Sequence, residues 1–144
     1  MYKVLEIHSF WAYLTLGITL ITIIKFFYSF LLRKKFKRID FRIALIALIF
    51  NHIQLLIGII LYYTSPKFTW WDEGVTSVMS NEVYRQHLVE HPIANILGIL
   101  ILTVGWSMHK RTTIDSKKFL RIGVFYLIGL LAILSRIPWN NFLN

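Results

Sequence analysis

The chain has 144 residues, of which 56% are hydrophobic and none is cysteine, and its formal net charge is +9. Its mean hydropathy of +0.59 and the gathering of its apolar residues into long blocks exclude an ordinary soluble domain. The absence of cysteine excludes disulfides, thiolate metal sites, iron–sulfur clusters and covalent c-type haem attachment. Nucleic-acid binding is excluded as well, because the basic residues flank the apolar blocks and are not interleaved with aromatic residues on a soluble surface.

Four blocks approach the roughly 20 residues that a helix needs to cross a bilayer. The first covers residues 4–24 and has an apolar extension to Leu32. The N-terminal residues lack the ordered pattern of a basic head, a short apolar core and a small-residue cleavage site, so a retained first helix is expected. Lys25 breaks this block. It reads as an anchor that snorkels to the inner headgroups, with a tilted helix reaching Leu32 as the other arrangement. Asp40 is placed to cap a second helix over residues 43–63, and Ser65-Pro66 ends it, because proline cannot continue the hydrogen-bond ladder.

Trp70 and Trp71, within residues 68–74, read as an aromatic anchor at the outer interface. Ser80 or Asn81 is placed to cap a helix that runs through residues 82–90 into the third span, residues 92–108. Pro92 then either kinks a continuous helix or marks the first turn of a separate one. The fourth span covers residues 119–137, and Trp139 after Pro138 is a second interfacial anchor. No repeat or low-complexity tract interrupts this order. The expected fold is all-α: a single domain over residues 1–144, built as an integral membrane four-helix up-down bundle.

Charge orients the bundle. Of the 16 Lys and Arg residues, 11 fall between spans one and two (Arg33, Lys34, Lys35, Lys37, Arg38, Arg42) or between spans three and four (Lys110, Arg111, Lys117, Lys118, Arg121). The middle loop, residues 64–90, holds Lys67 and Arg85 against Asp72, Glu73, Glu82 and Glu90. Positive loops stay inside, so both termini and the middle loop are expected outside, in a bacterial inner (cytoplasmic) membrane crossed four times.

An imidazole in hydrocarbon is costly without a partner, which makes His8, His52 and His91 candidate functional residues. At helical spacing, His8, Ala12, Thr15, Thr19 and Thr22 share one stripe of span one, and His91, Asn95, Gly98, Leu102 and Gly105 share one stripe of span three. Small and hydroxylated stripes pack against other helices in lipid, and this accounts for the glycines and threonines but not for the histidines. His8 and His91 are nearly level, on helices that face each other diagonally in an up-down bundle. They are therefore a candidate pair of axial ligands for a haem iron, with Asn95 and Gly98 bordering the macrocycle. His52 lies roughly 12 Å deeper by helical rise. In the polar patch Asn51-His52-Ile53-Gln54 it is either part of a hydrogen-bond knot or a redox, proton-relay or quinone residue, and a His52–His91 haem stays open because Pro92 leaves the path of the third helix undecided.

Arg136, near the outer end of span four, pairs with a haem propionate on one reading and with Glu6, Glu90 or headgroups on the other. Arg85 has the same two readings. His87-Leu88-Val89-Glu90-His91 matches the H-x-x-E-H zinc-peptidase pattern, but four minimal spans offer little substrate cleft. His87 is better read as a solvated interfacial histidine and His109, beside Lys110 and Arg111, as a residue of the cytoplasmic end.

Four segments carry a resemblance: His8-Ser9 opening span one; His52-Ile53-Gln54-Leu55-Leu56-Ile57-Gly58 running to Ser65-Pro66; Glu90-His91 opening span three, with Thr103-Val104-Gly105 after it; and Ile137-Pro138-Trp139. In order and over most of the chain, these resemble a family of small bacterial four-helix membrane proteins labelled cytochrome-b-like. Ala12 and Tyr13 stand where such relatives often carry an arginine and a tryptophan. The resemblance implies a haem b protein of electron transfer, an oxidoreductase component exchanging electrons with quinone or quinol or with other membrane redox subunits. Two other readings remain: a cofactor-free accessory or assembly subunit, and a small metal-binding membrane protein using His8, His91 and Glu90.

Overall fold

The computed structural model describes residues 2–139 and is helical, with no strand among the described residues. Four long helices carry the architecture: α1 (Tyr2–Leu31), α2 (Arg38–Thr64), α5 (His91–Met108) and α6 (Asp115–Leu134). Between α2 and α5 lie a 3-10 turn (Pro66–Glu73), the short helices α3 (Val75–Ser80) and α4 (Glu82–Arg85), and a single π turn (Gln86–Glu90).

Three helices are long and apolar enough to cross a membrane: Lys3–Leu31, Arg38–Thr64 and the continuous run Glu82–Arg111. α6 is not one of them. It spends its first two turns on Asp115, Lys117, Lys118 and Arg121, which leaves an apolar run shorter than the roughly 20 residues of a full span.

α1 packs on α2 and α6, and α5 packs on the same two helices, so α1 and α5 are diagonal. Tyr126 of α6 crosses the other diagonal, donating its hydroxyl to the Ala44 carbonyl at 2.7 Å. The fully buried Ala44 and Ala47 leave room for its ring. At Gly98 and Gly129 the α5 and α6 backbones touch, since a Cβ on Gly98 would lie 2.8 Å from the Gly129 carbonyl oxygen and one on Gly129 would lie 2.7 Å from the Gly98 carbonyl oxygen. The glycine stripe of the third span therefore turns sideways onto α6.

The threonine stripe of α1 likewise turns onto a neighbour. Thr15, Thr19 and Thr22 are buried, Thr19 and Thr22 return their hydroxyls to carbonyls one turn back, and Asn51 of α2 donates to the Thr19 hydroxyl at 2.8 Å. The two stripes are thus packing seams, each between adjacent helices.

The helix ends decide between arrangements that the sequence leaves open. α1 runs past Lys25 to Leu31, and Lys25 forms an ion pair with the buried Asp40, so it is held by a carboxylate as well as near the interface. Asp40 reaches back from the first turn of α2 to accept the Lys37 backbone N–H at 2.8 Å, which caps that helix from within. Asn81, not Ser80, caps the third long helix, accepting from the backbone N–H of Val83 and Tyr84 at 3.0 and 3.2 Å.

Pro92 sits inside the continuous helix. Its missing N–H would orphan the Leu88 carbonyl, but the Tyr62 hydroxyl donates to that carbonyl at 3.1 Å, and Trp71 in turn donates its indole N–H to the Tyr62 oxygen at 3.0 Å. Trp71 is thereby part of a relay that mends the proline break.

Candidate functional site

At the end away from the basic loops, His8 of α1 and His91 of α5 meet across the diagonal. Their ring centroids are 6.3 Å apart and their planes are inclined at 77°. The π turn directly before His91 supplies the extra residue that sets where α5 starts; such turns inside α-helices recur at functional sites.

His91 is oriented by the end of α6. Its Nδ1 donates to the Arg136 carbonyl at 3.1 Å, which in the neutral ring makes Nε2 the acceptor nitrogen. Asn95, one turn on, donates its amide to the His91 carbonyl at 2.8 Å and lies 3.3 and 3.5 Å from ring nitrogens Nδ1 and Nε2. A backbone or amide partner on one ring nitrogen is the arrangement that fixes the tautomer of a metal-ligating histidine.

His8 is seated by α2. Its Cε1 lies 3.4 Å from where a Cβ on Gly58 would stand, so the glycine leaves the ring its place. The Gln54 amide donates to the His8 carbonyl at 3.2 Å and lies 3.3 and 3.4 Å from the two ring nitrogens. Gln54 Oε1 is buried and has no hydrogen-bond partner among the described residues. A buried acceptor left unmatched costs about 1–3 kcal/mol. Among the described residues it is the one buried side-chain acceptor without a partner.

Glu90 gathers the nearby cations. It accepts from Arg85 Nε at 2.8 Å and from Arg136 Nη1 at 3.1 Å, while Arg85 Nη1 donates to the Met79 carbonyl at 2.7 Å. Of the two sequence readings of Arg136 the structure supplies the carboxylate partner, and it is Glu90. Arg136 therefore touches the site twice, through its side chain on Glu90 and its carbonyl on His91.

The other candidates lie elsewhere. His52 is exposed on the outer face of α2, in line with Ile49, Leu56 and Ile59, and its Nδ1 lies 2.9 Å from the Leu48 carbonyl of its own helix. The structure does not bring it to the His8–His91 pair. The polar patch splits by side: Asn51 and Gln54 turn inward, and His52 turns out. Gly98 sits at the α5–α6 contact described above, where packing accounts for it. His87 holds the Val83 carbonyl at 2.9 Å and meets Trp70 edge-on at 6.1 Å, so the two imidazoles of the H-x-x-E-H pattern have different neighbours. Among the described residues no three His, Asp or Glu side chains gather into a metal-holding group.

Sequence reasoning missed two residues. Gln54 was legible only as part of a polar patch; that it faces His8 follows from its sharing the buried face of α2 with Ala47 and Asn51. His109 was read as a residue of the basic end, but it is buried among Phe36, Phe41 and Trp106, with ring centroids 5.6 to 5.7 Å away.

No protein-family model, curated protein or solved structure matches the chain. The resemblance drawn above therefore rests on the quoted residues alone.

Proposed function

We propose that the chain crosses a bacterial cytoplasmic membrane four times, the short apolar run of α6 borrowing flanking residues to complete the fourth span, with both termini outside and with His8 and His91 supplying the two nitrogens that would hold a haem b iron. The observation that carries this reading is the 6.3 Å between the two ring centroids on diagonal helices. Two imidazoles that share one metal at about 2 Å per nitrogen have centroids roughly 6 Å apart, so the donor set suits a shared iron. The Nε2 lone pair of His91, whose Nδ1 proton is held by the Arg136 carbonyl, supports it. Arg136, whose side chain is 56% exposed, keeps N–H donors beyond its Glu90 bond for an acidic group such as a propionate.

When bound, the haem supplies one-electron redox chemistry tuned by its axial ligands and the polarity around it. The chain's own contribution is to hold two imidazoles in fixed orientations through the Arg136 carbonyl, Asn95 and Gln54. Quinone or quinol, or another membrane redox subunit, is the proposed exchange partner.

A cofactor-free accessory subunit is the competing reading, and one observation favours it. The Gln54 and Asn95 amides already engage the two histidines, and Glu90 already engages both arginines, so none of these groups needs a cofactor to be satisfied.

A visible spectrum of the purified protein separates the two. A Soret band with sharp reduced α and β bands is expected, and a colourless protein from haem-replete cells would sink the haem reading. His8→Ala and His91→Ala should each turn the iron high-spin or lose it, while His87→Ala and His52→Ala keep the low-spin spectrum. Retention in His8→Ala together with loss in His52→Ala would move the axial pair to His52 and His91. Orientation is tested by Lys34→Cys and Thr76→Cys: an impermeant thiol reagent on intact cells should label only the second, and the reverse pattern would invert the topology.

A further inference from the structure

At the basic end, α1 stops with an unusual residue. Arg33 has φ +49°, its N–H bonds the Phe30 carbonyl at 3.1 Å, and the Lys34 N–H bonds the Ser29 carbonyl at 3.0 Å. This is the Schellman termination, in which the left-handed position is ordinarily glycine. A long β-carbon-bearing side chain there costs about 1 kcal/mol relative to glycine. Such a cost persists where the side chain itself is of use.

Arg33 and Lys34 line one side of an open cavity of about 670 Å³ between the end of α1 and the start of α6. Its apolar wall is Phe30, Leu31 and Ile114, and Asp115, in the first turn of α6, lines it as well. Leu31 and Ile114 are 73% and 49% exposed. Lys34 Nζ lies over the Tyr28 ring at 4.6 Å. Among the described residues neither Arg33 nor Asp115 is held in an ion pair.

Two cations, one carboxylate and an apolar wall meet at the height where the proposed topology puts the inner membrane surface. We infer that this cavity is a binding site for one phospholipid whose headgroup carries an amine, of the phosphatidylethanolamine kind. Its phosphodiester accepts hydrogen bonds from the Arg33 guanidinium and the Lys34 ammonium, its ammonium donates to the Asp115 carboxylate, and its acyl chains lie along Phe30, Leu31 and Ile114. Basic pockets between spanning helices on the cytoplasmic side recognise lipid headgroups in this way. The carboxylate is what selects an amine-bearing headgroup over a purely anionic or a quaternary one. The inference rests on the membrane reading above and is independent of the haem.

The test is lipid binding to the delipidated full chain in detergent, read by native mass spectrometry, with phosphatidylethanolamine, phosphatidylglycerol and phosphatidylcholine of matched acyl chains. One molecule of phosphatidylethanolamine should be retained in preference to the other two. Arg33→Gly should weaken it about tenfold, as expected for one lost charge-assisted contact, while thermal stability stays level or rises, because glycine suits the left-handed position. Asp115→Asn should bring the three lipids to about equal retention. Equal retention in the unaltered protein, or unchanged binding in Arg33→Gly, overturns the site. Displacement by millimolar inorganic phosphate would show a soluble-anion site instead of a lipid site and overturns it too. A chain that stays soluble and monodisperse without detergent would sink the membrane reading itself, which no pattern of lipid preference in detergent can do.

Discussion

His109 and the His8–His91 pair lie at opposite ends of the same helices, and their surroundings have little in common. His109 is boxed by Phe36, Phe41 and Trp106, with its Nδ1 on the Trp106 carbonyl. Phe26 and Phe119 extend that box, 5.5 Å apart edge to face, and Lys118 reaches the Phe36 ring. At the other end two imidazoles face each other among side-chain amides, while each end keeps one buried side-chain atom with no hydrogen-bond partner among the described residues, Trp106 Nε1 in the aromatic box and Gln54 Oε1 beside His8. The same residue type is thus structural where flat hydrocarbon encloses it and a candidate ligand where it meets another imidazole among side-chain amides. What surrounds the ring decides the role, more than burial does.

The contrast can be broken most severely at the aromatic end. Phe26 is fully buried and packs edge-on against both Phe36 and Phe119. Phe26→Ala should cost about 3–5 kcal/mol by cavity formation, read as a large drop in the unfolding midpoint in detergent. A drop of under a few degrees would mean that this cluster does not hold the helices together.

Asp40→Ala comes next. It removes a buried carboxylate that both caps α2 and holds Lys25, so a loss of about 1–3 kcal/mol is expected, less than for a fully buried pair because Lys25 is one-third exposed. Lys25→Met in the same background should recover part of it, since the stranded ammonium is then gone. No recovery in the double variant would assign the whole effect to the cap.

Gln54→Leu probes the polar end and should change stability by less than about 1 kcal/mol, the usual scale of a hydrogen bond between helices in lipid. Its larger effect should be spectroscopic, as a changed reduction potential or a shifted Soret band, because the residue touches His8. An unaltered spectrum with haem bound would remove Gln54 from the site. Smallest of all is Glu90→Gln: its two arginines are part-exposed, and surface ion pairs contribute little. Thermal unfolding in moderate salt should scarcely register it, and a clear destabilisation there would show that Glu90 braces the π turn.

Hydropathy and punctuation in the sequence determined that the chain is helical, where the three long apolar helices run and that His8 and His91 stand level. These properties follow from local composition and from the fixed rise of a helix, so they need no partner to be read. Which way each polar residue turns around its helix was a tertiary decision. His52 and Gln54 are two positions apart and lie on opposite sides of α2, one exposed and one beside His8. Gly98 could equally have bordered a cofactor, but it became a contact with α6 because the α5 and α6 backbones approach to touching distance there. Arg136 had several possible partners in sequence, and the proximity of the end of α6 to the π turn selected Glu90. Pairings between residues 45 or more positions apart depend on how four helices are arranged around one another, and helical periodicity specifies each helix's faces without specifying which neighbour each face meets.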